Sequence, residues 1–137
     1  MVALELFVYK DSDKILEAKG LLQEVKSVLL SPSKVDHGEI QEMFRLWGWS
    51  LERYVFQNVT WRWDAYKDKV GVSIELSLID AVHRDFLRAI LAHKRGDLDV
   101  LVYVTSTFKE PRFQNVKRDI EIFKEILTIP ILLIGIT

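Results

Sequence analysis

Two carboxylates on neighbouring predicted strands, Asp64 and Glu75, are the residues of this sequence best placed to do chemistry. They lie in two stretches of alternating apolar and polar residues, 59–66 and 70–77, and the short polar link between the stretches predicts an antiparallel hairpin. Carboxylates that project from adjacent strands on the same side of a sheet repel each other unless a divalent cation or a shared proton lies between them. Because oxygen ligands with open positions suit Mg²⁺ or Mn²⁺, the pair predicts a site that could activate water for phosphodiester hydrolysis.

The register of this hairpin decides which residue lies opposite Asp64. A turn centred on Lys67-Asp68 pairs Asp64 with Gly71, whereas a turn shifted toward the second strand brings it next to Ser73 or Glu75. Either register leaves both carboxylates on one side of the sheet. The alternation is equally typical of an ordinary strand whose polar face is in solvent, and this interpretation stands beside the metal site.

The alternation also predicts the two faces of the first strand of the hairpin. Trp63 and Ala65 should share the apolar face, while Asp64 and Tyr66 should share the polar face. The tryptophan is therefore expected to pack in the core rather than to stack on bases.

The remaining polar residues give weaker signals for chemistry. His37, His83 and His93 do not lie at metal-ligand spacing from one another, so each is interpreted as a surface or capping residue. Ser73 and Ser77 have no His and Asp partners at recognisable spacing, which disfavours a serine nucleophile.

The composition limits the class of protein. A length of 137 residues is typical of one domain, so we expect residues 1–137 to form a single domain. With 49% hydrophobic and 28% charged residues the chain is too apolar for disorder. Its formal net charge of −1 excludes a strongly basic wrapping protein, but not a nuclease whose acidic metal site offsets a local basic surface. The chain has no cysteine, which excludes disulfides and Cys-based zinc sites, and we expect a cytoplasmic protein in a cytosolic or nucleoid setting. It also has no run of about 18 apolar residues, the length that a membrane helix needs.

Hydrophobic spacing predicts the elements that precede the hairpin. Residues 2–9 could form a strand or begin a helix. Residues 12–30 are predicted to form one helix with Ser12 as its N-cap, and residues 37–47 form a second helix that Gly48 ends. Residues 51–57 are a candidate for a further strand before the hairpin.

After the hairpin, the pattern alternates between helix and strand. A helix is predicted at residues 79–94, a strand buried on both faces at 98–105, a helix at 113–127 and a last strand at 131–136. No glycine-rich phosphate loop follows any strand, which argues against a doubly wound nucleotide-binding fold. The predicted fold is α/β (α+β), a mixed β-sheet flanked by helices.

Several short motifs follow one another in a fixed order from about His37 onward. They are a helix ending in Trp47-Gly48-Trp49, the pair Trp63-Asp64, the strand sequence VSIELS at 72–77, the helical HRDFL at 83–87, and the closing IPILLIG at 129–135. In order and spacing these motifs resemble the PD-(D/E)XK nuclease superfamily, and most closely the BglII/BamHI-type restriction endonucleases. The resemblance implies a restriction-endonuclease-like fold and Mg²⁺-dependent (or Mn²⁺-dependent) hydrolysis of DNA.

The resemblance also implies a role for individual residues. Asp64 and Glu75 would be the metal-binding carboxylates, and the main-chain carbonyl of Leu76 would be a further metal ligand. Glu39, or alternatively Glu42, resembles the auxiliary acidic residue on the helix before the Trp-Gly-Trp motif.

Ser77 departs from this pattern. The superfamily usually has Lys there, and its BglII/BamHI branch Glu or Gln, to position or activate the attacking water. A serine hydroxyl is too weak a base at neutral pH for that role. Three alternatives follow: Lys69 or Arg84 substitutes from elsewhere, the metal-bound water needs no base, or the protein is no longer a nuclease.

Two functions are therefore expected from the sequence. The first is a Mg²⁺-dependent DNA endonuclease of the restriction or repair type that acts as a homodimer. The alternative is a catalytically inactive nuclease-fold module with a DNA-binding or structural role. A net charge of −1 leaves phosphate binding to local Lys and Arg residues, with residues 109–117 as the candidate for reading DNA, so any DNA affinity should fall steeply with salt.

Overall fold

The computed structural model describes residues 2–57, 59–77 and 80–137. The strands within these residues are β1 Leu4–Tyr9, β2 Ser50–Tyr54, β3 Arg62–Lys67, β4 Val70–Ile74, β5 Val100–Ser106 and β6 Ile131–Ile136. The helices are α1 Ser12–Ala18, α2 Leu22–Leu30, α3 His37–Leu46, α4 Ala81–Lys94 and α5 Phe113–Ile122. None of the helices in this part of the chain is long and apolar enough to cross a bilayer.

The strands form one mixed sheet in the order β1-β6-β5-β4-β3-β2. The central strands β4, β5 and β6 are parallel, while β1 at one edge and the β2–β3 pair at the other run antiparallel to their neighbours. Every residue of β5 is buried, which confirms the prediction of a central strand covered on both faces. The predicted fold class, a mixed sheet flanked by helices, is confirmed.

Helices cover both faces of this sheet and define two apolar cores. The first core lies beneath α1, α2 and α3 and includes Phe44 and Val102, whereas the second lies beneath α4 and α5 and includes Phe86 and Tyr103. Alternate residues of β4 and β5 therefore face different cores, as expected for strands buried on both sides.

The helix predicted at residues 12–30 is wrong as a single helix, because Gly20 divides it into α1 and α2. Gly20 has a φ of 72°, its N–H donates to Glu17 O at 3.0 Å, and Leu21 N donates to Leu16 O at 2.9 Å. These two bonds are those of a Schellman motif, which a glycine in the left-handed conformation favours. The continuous apolar spacing hid this break, since both helices pack on the same core.

The ends of α1 and α3 differ in how well the sequence predicts them. Ser12 is not the N-cap of α1: Asp11 occupies that position, and the buried Ser12 hydroxyl donates to Ile131 O at 2.8 Å in β6. Gly48 follows α3 with a φ of 90°, as expected for a glycine that ends a helix.

The other predicted elements are present, with ends set by the neighbouring strands. Residues 2–9 contain a strand, β1, and the candidate strand at 51–57 corresponds to β2. The strand predicted at 59–66 begins at Arg62, opposite the last residue of β2, Tyr54. The strand predicted at 70–77 ends at Ile74. β5 begins at Val100, two residues later than predicted, and α5 ends at Ile122. α4 begins at Ala81, and Ile79 of the predicted helix lies outside the described residues.

Substitution of Gly135 should destabilise the fold, because β6 lies very close to Thr107 and to the first residue of α5, Phe113. A Cβ at this position would lie 2.9 Å from Phe113 Cβ and from Thr107 Cγ2, so Gly135→Ala should lower the free energy of unfolding by about 1–3 kcal/mol. At Gly38 in α3 a Cβ would meet only Asp36 Oδ2 at 3.4 Å, and Gly38→Ala should raise it by up to about 1 kcal/mol. Urea unfolding of both variants measures these changes, and a Gly135→Ala protein as stable as wild type would contradict the packing described.

Candidate active site

A tight turn fixes the register of the hairpin that carries the predicted carboxylates. The two residues between β3 and β4, Asp68 and Lys69, have φ values of 49° and 59°, the conformation of a type I′ turn. The resulting register pairs Tyr66 with Gly71, so the alternative that pairs Asp64 with Gly71 is wrong. Asp64 instead lies beside the end of β4.

The main-chain pairing of β3 with β4 stops at Ala65. At the next position the Asp64 side chain, rather than the main chain of β3, contacts β4. Asp64 Oδ2 accepts a hydrogen bond from Ile74 N at 2.6 Å, in place of a main-chain acceptor on β3. This interruption of the ladder places residues on either side of Asp64 on opposite faces of the sheet. Trp63 packs in the core beneath α4 and α5, whereas Ala65 packs in the core beneath α1–α3. The predicted sharing of one face by Trp63 and Ala65 is therefore wrong, and Tyr66 is buried in the same core as Trp63 rather than on a polar face.

The second strand of the hairpin is not a half-exposed strand with a solvent face. All of Val70–Ile74 is buried, with Ser73 on the same side as the α4–α5 core. The interpretation of the alternating residues as an ordinary exposed face is therefore wrong for β4. Polar groups at the end of such a strand are stable only where they find partners or water.

A cleft of about 370 Å³ opens at the carboxyl end of β4. It brings together four residues that the sequence analysis assigned to the site, and further side chains from α3, β3, β4 and α4. The predicted residues are Asp64, Glu75, Leu76 and Ser77, and the additional ones are His37, Arg62, Ser73, Ile74 and Asp85.

His37, the first residue of α3, is a partner of Asp64 that the sequence analysis missed. Its Nε2 lies 3.1 Å from Asp64 Oδ1, while Gln41, one turn along α3, donates from Nε2 to Asp64 O at 3.0 Å. The hydrogen bond to Asp64 raises the pKa of His37 above its ordinary value, and the charges of Asp64, Glu52 and Glu75 act in the same direction. The His37 side chain is 44% exposed, as expected for a surface residue, but spacing along the chain could not predict this contact because it joins two distant elements.

Glu75 lies directly after β4 and is held by main-chain contacts. Glu75 N donates to Val104 O at 2.8 Å on β5, and Glu75 Oε1 accepts a hydrogen bond from Ser77 N at 3.2 Å. Ser77 thus supports the carboxylate through its main chain, and its side chain is exposed at the wall of the cleft.

Asp85 on α4 brings a third carboxyl group to the cleft. The hydroxyl of Tyr103, a fully buried residue of β5, donates to Asp85 Oδ2 at 2.9 Å. Burial raises the pKa of Asp85 to about 6, and the charge of Glu75 adds to this shift. Burial, followed by the charge of Asp85, raises the pKa of Tyr103 well above its ordinary value. No local motif marks this pair, since the two residues lie on different elements.

The two auxiliary acids named from the sequence lie elsewhere on α3. Glu39 Oε1 accepts from Ser33 Oγ at 3.0 Å, and Glu39 N donates to the capping carboxylate of Asp36 at 3.0 Å. Glu42 is paired with Arg45 on the exposed side of the helix. Neither Glu39 nor Glu42 lines the cleft, so the structure does not bring them to Asp64.

The two cations named as substitutes for Ser77 are also outside the cleft. Lys69 lies in the β3–β4 turn, and the five residues of β4 separate it from Glu75 by roughly 20 Å. Arg84 is exposed on α4 next to Asp85, but it does not line the cleft.

The carboxylates form a small set of oxygen donors. Within residues 2–57, 59–77 and 80–137, no group of three or more His, Cys, Asp or Glu side chains is arranged to hold a metal ion. Mg²⁺ commonly binds proteins through one or two carboxylates and keeps several of its waters. Asp64 and Glu75 therefore fit Mg²⁺ or Mn²⁺ better than zinc, which requires three or four protein ligands at a closely fixed geometry.

Removal of the Asp64 charge should lower the pKa of His37. In wild type this pKa lies above its ordinary value of 6.5 because protonated His37 donates to a carboxylate. Asp64→Asn replaces the charged acceptor with a neutral one, so the imidazolium form of His37 is stabilised less strongly. NMR titration of the imidazole resonances in metal-free protein measures the change. His83 and His93 serve as internal controls because they contact Asp119 and Leu98 O rather than Asp64. An unchanged His37 titration would contradict the contact.

Comparison with known proteins identifies the family. A family model described as restriction endonuclease BglII/BglIII matches residues 4–136. A crystal structure of restriction endonuclease BglII complexed with a DNA 16-mer superposes with a TM-score of 0.83 at 15% sequence identity, over 97% of this chain and 77% of that one. A search of curated proteins found no match. The superposition shows the fold, and the family model spans nearly the whole chain. The chain therefore belongs to the BglII/BglIII restriction endonuclease family.

Proposed function

We propose that this protein is a Mg²⁺-dependent (or Mn²⁺-dependent) DNA endonuclease of the PD-(D/E)XK type, with Asp64 and Glu75 as its metal-binding carboxylates. The observation that carries the proposal is their convergence on one cleft at the end of β4, in a chain of a restriction endonuclease family. Asp64 lies on β3 and Glu75 directly after β4, and the I′ turn and the Asp64–Ile74 hydrogen bond fix their relative position.

Three groups would hold the metal: the carboxylates of Asp64 and Glu75 and the main-chain carbonyl of Leu76, all of which belong to cleft-lining residues. When bound, such a cation polarises a phosphoryl oxygen and lowers the pKa of a coordinated water. The protein contributes rigidity, because one oxygen of Asp64 is already oriented by Ile74 N. Preorganised ligands lose less conformational entropy when the cation binds.

Two basic side chains complete the surroundings of the carboxylates. When protonated, His37 donates to Asp64 Oδ1 and offsets its charge in the absence of a cation. Arg62 lines the same cleft and is held by a hydrogen bond to Tyr54 OH at 3.1 Å. A guanidinium in this place can bind a phosphate of the substrate through charge-assisted hydrogen bonds.

DNA is the proposed substrate, and a homodimer is the proposed form. The BglII structure that this chain resembles is a complex with DNA. Scission of both strands of a duplex requires two sites of opposite orientation, which a two-fold dimer supplies. Because the net charge is −1, the affinity for DNA must come from local cations such as Arg62 and should fall with salt.

One observation favours the alternative, a nuclease fold that binds DNA without cutting it. Ser77 contacts Glu75 through its main chain and presents only a hydroxyl to the cleft, which is a poor base at neutral pH. In that case Asp64 and Glu75 would still hold a cation, and no scission would follow.

Charge-removing substitutions in the cleft should abolish metal binding and DNA scission. Asp64→Asn and Glu75→Gln each remove one anionic ligand, while Asn can still offer an oxygen to Ile74 N. Glu42→Gln is the matched control, because it removes a carboxylate that is paired with Arg45 outside the cleft. At a metal concentration 100 times the Kd, the wild type and the control should gain about 2.7 kcal/mol of stability, and the two cleft variants little.

Thermal melting with and without millimolar MgCl₂ or MnCl₂ measures the first effect, and scission of genomic DNA measures the second. If all four proteins respond to the cation to the same extent, Asp64 and Glu75 are not the metal site. If the wild type binds the cation at these residues but does not cut DNA, the inactive module is the correct function.

A further inference from the structure

We infer that Asp85, oriented by the hydroxyl of Tyr103, is the group that takes the proton of the attacking water. The inference rests on the proposed nuclease function and adds a catalytic residue that lies outside the hairpin. Hydrolysis of a phosphodiester removes a proton from water, so a base within reach of the cleft is needed for efficient catalysis at neutral pH.

The other titratable side chains of the cleft have different roles. Asp64 and Glu75 are the proposed ligands, and a carboxylate that binds a cation is a weaker base. His37 is bound to Asp64, and Arg62 is a cation that cannot accept a proton. Asp85 is the remaining carboxyl group on the cleft, and it does not form a three-residue ligand group with Asp64 and Glu75 among the described residues.

The geometry of Asp85 is fixed from the core. Tyr103 lies on β5 opposite Ser73 of β4, has no exposed surface, and donates to Asp85 Oδ2 at 2.9 Å. Its ring packs edge-on against Phe86, the neighbour of Asp85 on α4, with the ring centroids 5.6 Å apart. A rigid donor therefore holds one carboxylate oxygen, and a carboxylate has a second oxygen with which to contact water.

Packing alone does not require a hydrogen-bonded Asp85–Tyr103 pair at this position. An Asp–Tyr pair beneath a helix leaves a carboxyl group with little water around it, and an apolar pair of similar size would avoid that desolvation penalty. The groups that act on Asp85 are Tyr103 from β5, Glu75 from the end of β4, and Arg84 and Arg88 from α4. Burial dominates and raises the pKa of Asp85 to about 6, which makes its carboxylate a stronger base than an exposed Asp at neutral pH.

In the proposed step, water attacks the phosphorus and Asp85 takes its proton. The water oxygen forms a bond to phosphorus while its proton moves to the carboxylate oxygen of Asp85 that Tyr103 does not hold. The opposite P–O ester bond breaks, its electron pair leaves with the ester oxygen, and this oxygen takes up a proton from solvent. Asp85 then returns its proton to solvent. Tyr103 is a positioning residue, since it acts on the reaction through its hydrogen bond to Asp85.

The test compares Asp85→Asn and Tyr103→Phe with wild type and with Asp119→Asn. The control is a matched one, because Asp119 is also largely buried and its side chain is held by His83 at 3.2 Å and Arg118 at 3.5 Å, but it lies on α5 outside the cleft. The measurements are the rate of scission of genomic DNA in MgCl₂ and MnCl₂ between about pH 5 and 9, and the metal-induced shift in Tm. Asn keeps an acceptor for Tyr103, so Asp85→Asn should fold.

We expect Asp85→Asn to cut DNA at least about 100-fold more slowly, with its metal-induced Tm shift retained. Tyr103→Phe should cut more slowly than wild type, and the acidic limb of its pH–rate profile should move to higher pH, because the Tyr103 hydrogen bond lowers the pKa of Asp85. A merely structural role would not move this limb. Asp119→Asn should match wild type.

Three results would overturn the inference. If Asp85→Asn cuts at the wild-type rate, the base lies elsewhere and the proposed nuclease function still stands. If Asp85→Asn loses the metal-induced Tm shift, Asp85 belongs to the metal site rather than to the water. If the wild type does not cut DNA with either cation, both the nuclease function and the role of Asp85 are wrong.

Discussion

The hydrogen bond from Ile74 N to Asp64 Oδ2, at 2.6 Å, is the interaction on which the arrangement of the cleft depends. An unpaired main-chain N–H at the end of a buried strand is costly, and here a side chain satisfies it. This replacement ends the β3–β4 ladder at Ala65 and allows Trp63 to enter the core beneath α4 and α5.

The second constraint is that the central strands are buried on both faces. Polar chemistry can then be placed only where these strands end, which is why Glu75, Ser77 and Asp85 meet at the carboxyl end of β4. In α/β sheets generally, ligands bind outside the carboxyl ends of parallel strands for the same reason. The I′ turn contributes from the other end of the hairpin, because it fixes the register and so the position of Asp64.

Local patterns predicted the parts of the molecule that depend on local interactions. The buried strand β5, the hairpin and the glycine after α3 follow from apolar runs, short links and a residue with left-handed φ, and the structure has all of them. Asp64 and Glu75 reach one cleft because one lies on the first strand of the hairpin and the other directly after the second.

Sequence patterns missed what tertiary contacts decide. His37 and Asp85 reach the cleft from helices, 27 residues before Asp64 and 18 residues before Tyr103, and no spacing rule connects such pairs. The prediction that Trp63 and Ala65 share a face failed because periodicity assumes an unbroken strand, and Asp64 breaks this one. In each case the outcome depends on contacts between elements, which spacing along the chain does not record.

The charges around the cleft explain why its protonation and its occupation by a cation must be linked. A hydrogen bond to Asp64 raises the pKa of His37, and burial raises that of Asp85, while the charge of Glu75 contributes to both shifts. Both groups thus hold a proton more tightly in a site rich in carboxylates. A divalent cation between Asp64 and Glu75 would counter the same negative field, so it competes with these protons. The carboxylates therefore favour a cation most strongly at the higher pH values at which His37 is neutral and Asp85 is ionised.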